Sequence, residues 1–301
     1  MEIVVITGQV PATDLSIEYD RWLSGVDPND ILYTASRYDL QAVEEAIRIR
    51  DSQWEGKVTL LAIGPPRAEA ALRRYLSMGA DVAVHICDQS LENSDAYGLA
   101  FALSRAIRNM RYDLILCGGE WVDDFGCAIF LGPYIAEMLG LPQVSGVTHI
   151  ELQAGGQGLV VHRKMERGDR EVIQCPLPCL LGVETGIGEP RYPTFSDSLA
   201  AIRKGIQVID TASLGLSSTD VGHFGSLIKV ARYSPPRGRV KKGLVIDTSL
   251  SAAERMKMVI SGGLSAKSDK RTLLTGEPNK IAKDIVSVLE GQGIIRKVSS
   301  L

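Results

Sequence analysis

Residues 112–133 read YDLILCGGEWVDDFGCAIFLGP. The run Leu114-Ile115-Leu116-Cys117 is apolar at consecutive positions, so a strand there would be buried on both faces, as in a parallel sheet covered by helices. Gly118-Gly119 breaks the run, Glu120, Trp121 and the pair Asp123-Asp124 follow, and apolar character resumes towards Leu139. A strand, a glycine break and a helix start form the place where an open α/β sheet offers backbone N–H groups to a ligand. Adjacent acids repel phosphate, so here they would bind sugar hydroxyls, anchor the loop or cap the following helix.

Upstream, the same grammar repeats three times. Residues 2–7 are apolar on both faces and end at Gly8-Gln9. Residues 57–63 end at Gly64-Pro65-Pro66, and residues 82–87 end at Cys87-Asp88. Helical spacing follows each: Ala42, Val43, Ala46 and Ile47 in 40–51 behind a Ser36 or Asp39 cap, Leu72, Tyr75 and Leu76 in 68–78, and a helix from a Ser94-Asp95 cap to Met110. Four strand–helix repeats predict a parallel sheet flanked by helices, with ligand loops at the carboxyl ends of its strands.

After Gln143 the segments 147–152, 159–164, 171–174 and 179–184 read as short alternating stretches and predict antiparallel strands added beside that sheet. Residues 186–193, GIGEPRYP, are too rich in Gly and Pro for regular structure, and 199–204 predicts a helix. Beyond this the chain is turn-rich. Ser234-Pro235-Pro236-Arg237-Gly238-Arg239 reads as an extended basic linker, followed by weaker helices near 252–260 and 278–290. The sequence thus predicts an α/β domain over 1–215 and a C-terminal linker and helical arm over 216–301, of the kind that reaches onto a partner.

The 301 residues carry a net charge of −3 and are 23% charged, which gives no basic excess for nucleic acid. No run of apolar residues is long enough for a membrane span. Met1 leads directly into the first strand without a basic n-region, so no signal peptide is expected and a cytoplasmic location is. Cys87, Cys117, Cys127, Cys175 and Cys179 are odd in number and scattered, as buried reduced thiols would be, and the two prolines between Cys175 and Cys179 argue against a metal pair. His85, His149, His162 and His223 show no ligand spacing, and Glu44-Glu45 reads as a solvated helix face. A Gly-Lys-Ser/Thr loop and a Gly-x-Gly-x-x-Gly fingerprint are both missing, and no nucleophile stands beside a base. Binding without bond-making chemistry is the expectation.

Several stretches together resemble one family: Ala42-Val43-Glu44-Glu45-Ala46, Ile63-Gly64-Pro65, Leu76-Ser77-Met78-Gly79-Ala80-Asp81, 118–124, Gly140-Leu141-Pro142-Gln143, and above all Glu189-Pro190-Arg191-Tyr192. In this order the sequence is similar to the electron transfer flavoprotein beta subunit (EtfB/FixA) from residue 1 to about 215. The resemblance implies an α/β fold of the adenine nucleotide alpha-hydrolase kind and a heterodimer whose alpha subunit holds most of an FAD. It implies AMP in the beta site, or a second FAD in flavin-bifurcating relatives, with contacts from Ile6, Ser36, Arg37, Tyr38, Asp39, Ile63, Gly118, Gly119, Glu120, Val122, Asp123, Asp124, Phe125, Gly126 and Cys127. Ser94 and Asp95 would lie near a second flavin. Glu189, Pro190, Arg191, Tyr192, Thr194 and Phe195 would belong to a recognition loop within 184–204, with Phe195 docking into an acyl-CoA dehydrogenase-type partner. An electron carrier subunit is implied rather than a stand-alone enzyme. Its electrons would pass to an iron–sulfur or quinone-linked acceptor or, with bifurcation, involve NADH. The sequence departs from the family where Ser36-Arg37 replaces Asn-Pro and where 125–131 is longer and more apolar. A non-redox adenine-nucleotide-binding regulatory protein of similar fold is the alternative.

Overall fold

β1 (Glu2–Thr7) is the strand about which the sheet reverses. In the computed structural model the following strands are β2 (Gln9–Pro11), β3 (Tyr33–Ala35), β4 (Lys57–Ile63), β5 (Val82–Ile86), β6 (Leu114–Gly118), β7 (Trp121–Val122) and β8 (Ala128–Ile129). They continue as β9 (Gln143–Leu152), β10 (Gly158–Lys164), β11 (Arg170–Pro176), β12 (Cys179–Val183) and β13 (Ile206–Ile209). The helices are α1 (Arg37–Ser52), α2 (Glu69–Ser77), α3 (Ala96–Arg108), α4 (Leu131–Leu139), α5 (Phe195–Arg203) and the single turn α6 (Gly222–Gly225). The structure describes residues 1–12, 31–52, 56–119, 121–122, 128–129, 131–153, 158–229, 251–253, 255–256 and 277–291.

Nine strands form one sheet in the order β11-β10-β9-β12-β6-β1-β4-β5-β13. All pairs from β9 to β13 are parallel, and β10 and β11 extend the sheet antiparallel at one end. β1 neighbours β4 on one side and β6 on the other, so the strand order turns back on itself at β1/β6. Such a reversal leaves a crevice outside the carboxyl ends of the two strands, because the connections leave them in opposite directions.

The consecutive apolar strands bury both faces, as expected of a parallel sheet covered by helices. Ile3, Val5, Leu60, Leu114 and Leu116 pack with α1 and α2 residues such as Ala42, Val43, Ile47 and Leu72. Val4, Ile6, Leu61 and Ile115 pack with Leu103 and Ile107 of α3 and Ile135 of α4.

Three expectations change. Cys179–Val183 is not an antiparallel addition: β12 lies between β6 and β9 and is parallel to both. All five of its residues are buried, the signature of an interior parallel strand. Ile206–Ile209, assigned to no element from the sequence, pairs parallel with β5 and forms the opposite edge. Trp121–Val122 and Ala128–Ile129, expected within a loop leading to a helix, instead pair antiparallel as β7 and β8, Trp121 opposite Ile129, and α4 starts at Leu131. Asp123-Asp124, expected to anchor the loop, bind sugar hydroxyls or cap the helix, lie outside the described residues. The segment 199–204 is helical, but α5 begins four residues earlier because Thr194 and Asp197 form a reciprocal cap.

By contacts the chain divides into Met1–Pro235 and Pro236–Leu301. Past the boundary expected near 215, Gly222, Leu227 and Ile228 hydrogen-bond to Ser94 and Asp95, which ties them to the first unit. In the second unit Pro278–Gly291 is helical, with Ile285, Val286 and Val288 exposed. The basic linker and most of the helix expected near 252–260 lie outside the described residues. Among the described residues no helix is long and apolar enough to cross a membrane.

Candidate functional site

The reversal point is assembled by Asp39. Ser36 sits before the first turn of α1, its Oγ 3.4 Å from the Asp39 N–H and its carbonyl accepting from the Leu40 N–H at 2.9 Å. Asp39 is fully buried, and its Oδ2 accepts from the Gly8 N–H at 2.9 Å, so the start of α1 is tied to the loop leaving β1. Tyr75 of α2 completes the knot. Its hydroxyl donates to the Gly8 carbonyl at 2.8 Å, accepts from the Ser36 N–H at 2.8 Å and lies 3.4 Å from Asp39 Oδ2. Burial, then the Asp39 charge, raises the Tyr75 pKa well above its ordinary value, so the hydroxyl stays a donor. A closed network of this kind rigidifies two loops that would otherwise carry unpaired backbone groups.

β6 closes against this knot. A Cβ at Gly118 would clash with Asp39 Oδ1 and stand 2.8 Å from Tyr38 Cβ, and one at Gly119 would stand 2.9 Å from the Val183 carbonyl. The Gly119 N–H donates to that carbonyl at 2.8 Å, extending the β6–β12 pairing. Gly118-Gly119 is therefore required by close packing of the chain upon itself.

Thr7 Oγ1 at the carboxyl end of β1 and Gln9 Oε1 at the start of β2 are buried and have no hydrogen-bond partner among the described residues. Such atoms cost roughly 1–3 kcal/mol each unless something meets them. Their position suits a ligand carrying hydroxyl or amino groups, and an adenine nucleotide has both. Ile6, next to last in β1, and Ile63, the last residue of β4, are buried apolar residues, and Ser36 and Asp39 at the start of α1 are buried too. After β4, the Gly64 carbonyl accepts from His85 Nε2 at 3.0 Å, and burial lowers the His85 pKa, so this imidazole is neutral. Val122 lies in β7, and Glu120, Asp123, Asp124, Phe125, Gly126 and Cys127 lie outside the described residues.

Ser94 and Asp95 stand at the start of α3 and are already engaged. Asp95 Oδ1 accepts from the Gly98 N–H at 2.9 Å as the cap of α3, and Oδ2 accepts from the Leu227 and Ile228 N–H groups at 2.8 Å each. Ser94 Oγ accepts from the Gly222 N–H at 2.7 Å. The group expected to meet a second flavin holds the chain's own 222–228 segment.

The segment between β12 and α5 lies along α1. The Gly186 N–H donates to Gln41 Oε1 at 2.8 Å. Glu44 takes the Arg191 backbone N–H and Nε on Oε2, both at 2.9 Å, and Nη2 on Oε1 at 2.9 Å. Glu45 is buried and paired with Arg48. The expected solvated face Glu44-Glu45 is thus two structural carboxylates, and nothing in the local sequence signals it because the Arg191 partner is 147 residues away. Beyond Arg191, Tyr192 is 87% and Phe195 85% exposed, with Arg74 above the Tyr192 ring at 5.7 Å. Phe195 is the first residue of α5 rather than a loop tip, and it does not fold into the core.

Cys117, Cys175 and Cys179 are buried free thiols and Cys87 is half-buried; burial raises Cys117 to about 12. Among the described residues no cluster of His, Cys, Asp and Glu could hold a metal.

The chain matches the electron transfer flavoprotein domain over residues 26–214. The electron transfer flavoprotein subunit beta of Thermoanaerobacterium thermosaccharolyticum is 34% identical over 261 residues, covering 85% of this chain and 98% of the relative. The subunit beta of Megasphaera elsdenii is 32% identical over 79% of this chain and 88% of its own length. Protein FixA of Azotobacter vinelandii is 34% identical over 70% of this chain and 76% of its own.

Proposed function

We propose, from the premise that this chain belongs to the electron transfer flavoprotein beta-subunit family, that it works in a heterodimer as an electron carrier between an acyl-CoA dehydrogenase-type enzyme and a downstream acceptor. Flavin, held mainly with the alpha subunit as FAD, supplies the one- and two-electron chemistry. This chain supplies a nucleotide crevice, a docking surface and the frame that holds the two apart.

The observation that carries the reading is the strand-order reversal at β1/β6, where Thr7 Oγ1 and Gln9 Oε1 are buried without a hydrogen-bond partner among the described residues. An adenine nucleotide, as AMP or as the adenylate of a second FAD, meets these atoms with its hydroxyl or amino groups. Ile6 and Ile63 offer apolar surface, Arg37 places a cation at the start of α1, and Asp39 keeps the β1 loop in place. The 120–127 stretch is assigned to the same ligand by family resemblance. A second FAD would admit NADH and bifurcation, and AMP would not.

Phe195 and Tyr192 form the docking surface for the dehydrogenase, since large aromatics this exposed serve as interface anchors. The C-terminal unit, with its exposed apolar helix face over Pro278–Gly291, is assigned to the alpha subunit. No acid–base pair is needed, because electron transfer depends on distance and electrostatics rather than proton abstraction.

The test mixes the purified heterodimer with an acyl-CoA dehydrogenase reduced by its own substrate and follows flavin absorbance. Bleaching at a rate that saturates with dehydrogenase supports the reading. A colourless heterodimer, or flavin that stays oxidised with every such dehydrogenase, turns it towards a non-redox nucleotide-binding protein.

A further inference from the structure

The segment from Glu184 to Thr194 carries Gly186, Gly188, Pro190 and Pro193 and has no regular structure. A segment of that composition holds one shape only if side chains from a rigid element fix it. α1 provides two points on one face, three residues apart: Gln41 takes the Gly186 N–H and Glu44 takes the backbone and side chain of Arg191. Asp51, two turns on, lies 3.8 Å from Arg191 Nη2. The Glu44 carboxylate is shielded, with its side chain 17% exposed, and both of its oxygens face the guanidinium fork. Paired bonds in that geometry fix direction as well as distance.

Downstream, the chain is fixed again at α5. Thr194 and Asp197 cap its start, and Arg73 of α2 donates to the Ala201 and Ile202 carbonyls at 3.0 Å each. Phe195, Leu199 and Ile202 are exposed at spacings of four and three residues, which puts them on one face of α5. The apolar face thus begins four residues after Arg191, between two fixed points.

We infer that Glu44 and Arg191 are positioning residues for partner docking: their fork latches the 184–194 strap onto α1 and so presents Phe195 and the α5 face in one orientation before the partner arrives. The inference rests on the docking role proposed above for Phe195. A free strap would be ordered at the moment of association, at a cost taken from affinity, whereas a latched strap has been ordered during folding. Glu44 and Arg191 fall in two of the stretches that carry the family resemblance, and the latch gives both a shared physical reason.

The experiment uses the heterodimer with its flavin and a substrate-reduced acyl-CoA dehydrogenase as electron donor, reading KM for the heterodimer, kcat and flavin content. Glu44→Gln is expected to raise KM roughly fivefold with kcat and flavin unchanged, the cost of a lost preorganised contact. The exchanged pair Glu44→Arg with Arg191→Glu restores part of the loss. On a Phe195→Ala background Glu44→Gln adds little, because the latch acts through the residue already removed. An unchanged KM in Glu44→Gln beside a raised KM in Phe195→Ala overturns the latch and leaves docking standing. An unchanged KM in Phe195→Ala overturns the docking role and the latch with it. Trypsin gives a readout independent of any partner: cleavage after Arg191 accelerates about tenfold in Glu44→Gln, and unchanged cleavage overturns the latch.

Discussion

Replacing Tyr75 by Phe removes one oxygen and leaves the ring in place. That oxygen bonds the Gly8 carbonyl and the Ser36 N–H at 2.8 Å each and lies beside Asp39, in a residue that is fully buried. The variant leaves two buried backbone groups unpaired, each costing roughly 1–3 kcal/mol, and no transfer term offsets them because the ring stays buried. Relief of the desolvated hydroxyl recovers part, so a net loss of about 2–4 kcal/mol is expected. At about 2–4 °C per kcal/mol for a domain of this size, the unfolding midpoint falls by roughly 5–15 °C. Calorimetry on wild type and variant under one set of conditions reads this directly. Because Gly8 and Ser36 border the crevice, added AMP or FAD should also shift the variant's midpoint less than the wild type's. A midpoint within about 1 °C of wild type would refute the claim that this hydroxyl ties the two loops together.

Gly118→Ala should cost about 2–3 kcal/mol from overpacking against Asp39 and Tyr38, lowering the urea midpoint; an unchanged midpoint would show that the crevice wall yields. Asp88, held by the Thr211 hydroxyl and by the Ser90 and Thr211 N–H groups, has its pKa lowered to about 2, so folding favours its charged form. Its contribution is complete above its ordinary value near 3.8 and is lost as pH falls through about 2. The stability gap between wild type and Asp88→Asn should therefore narrow from pH 5 towards pH 2, its size kept small by solvent screening, and a constant gap counts against that role. Thr194→Ala breaks the reciprocal cap of α5 and should cost about 1 kcal/mol, seen as faster amide exchange in the helix's first turn; unchanged exchange would assign the helix start to packing instead.

The alternation of apolar strands and helical spacing was enough to read β1, β4, β5 and β6 in order, because a parallel sheet buries each strand on both faces and leaves a run of apolar residues as its trace. β12 carries that same trace over 179–183, but its place after a hairpin suggested an antiparallel partner, and neighbours in sequence do not reveal neighbours in a sheet. β13 spans four residues with Val208 exposed at an edge, too short and too open to show periodicity. The capping box at Thr194 was present in the sequence as Thr-x-x-Asp and would have moved the start of α5 to Phe195. Glu44 could not be read in the same way. Its neighbours made it look solvated, and only the fold brings Arg191 to it. The glycine break marked the end of β6 at the reversal, but the packing that Gly118 makes with Asp39 and Gly119 with Val183 comes from the fold, and Thr7 and Gln9 carried no signal in the sequence as ordinary strand-end residues.

The claim on which the account depends is that the β1/β6 crevice holds an adenine nucleotide of its own. The direct measurement is to purify the heterodimer with its alpha subunit, denature it, and count released flavin and AMP against protein. The account predicts one FAD and a second adenine nucleotide, AMP or FAD, per heterodimer, with Thr7→Val lowering the second and leaving the first. A single FAD and nothing more, in wild type and variant alike, would contradict it.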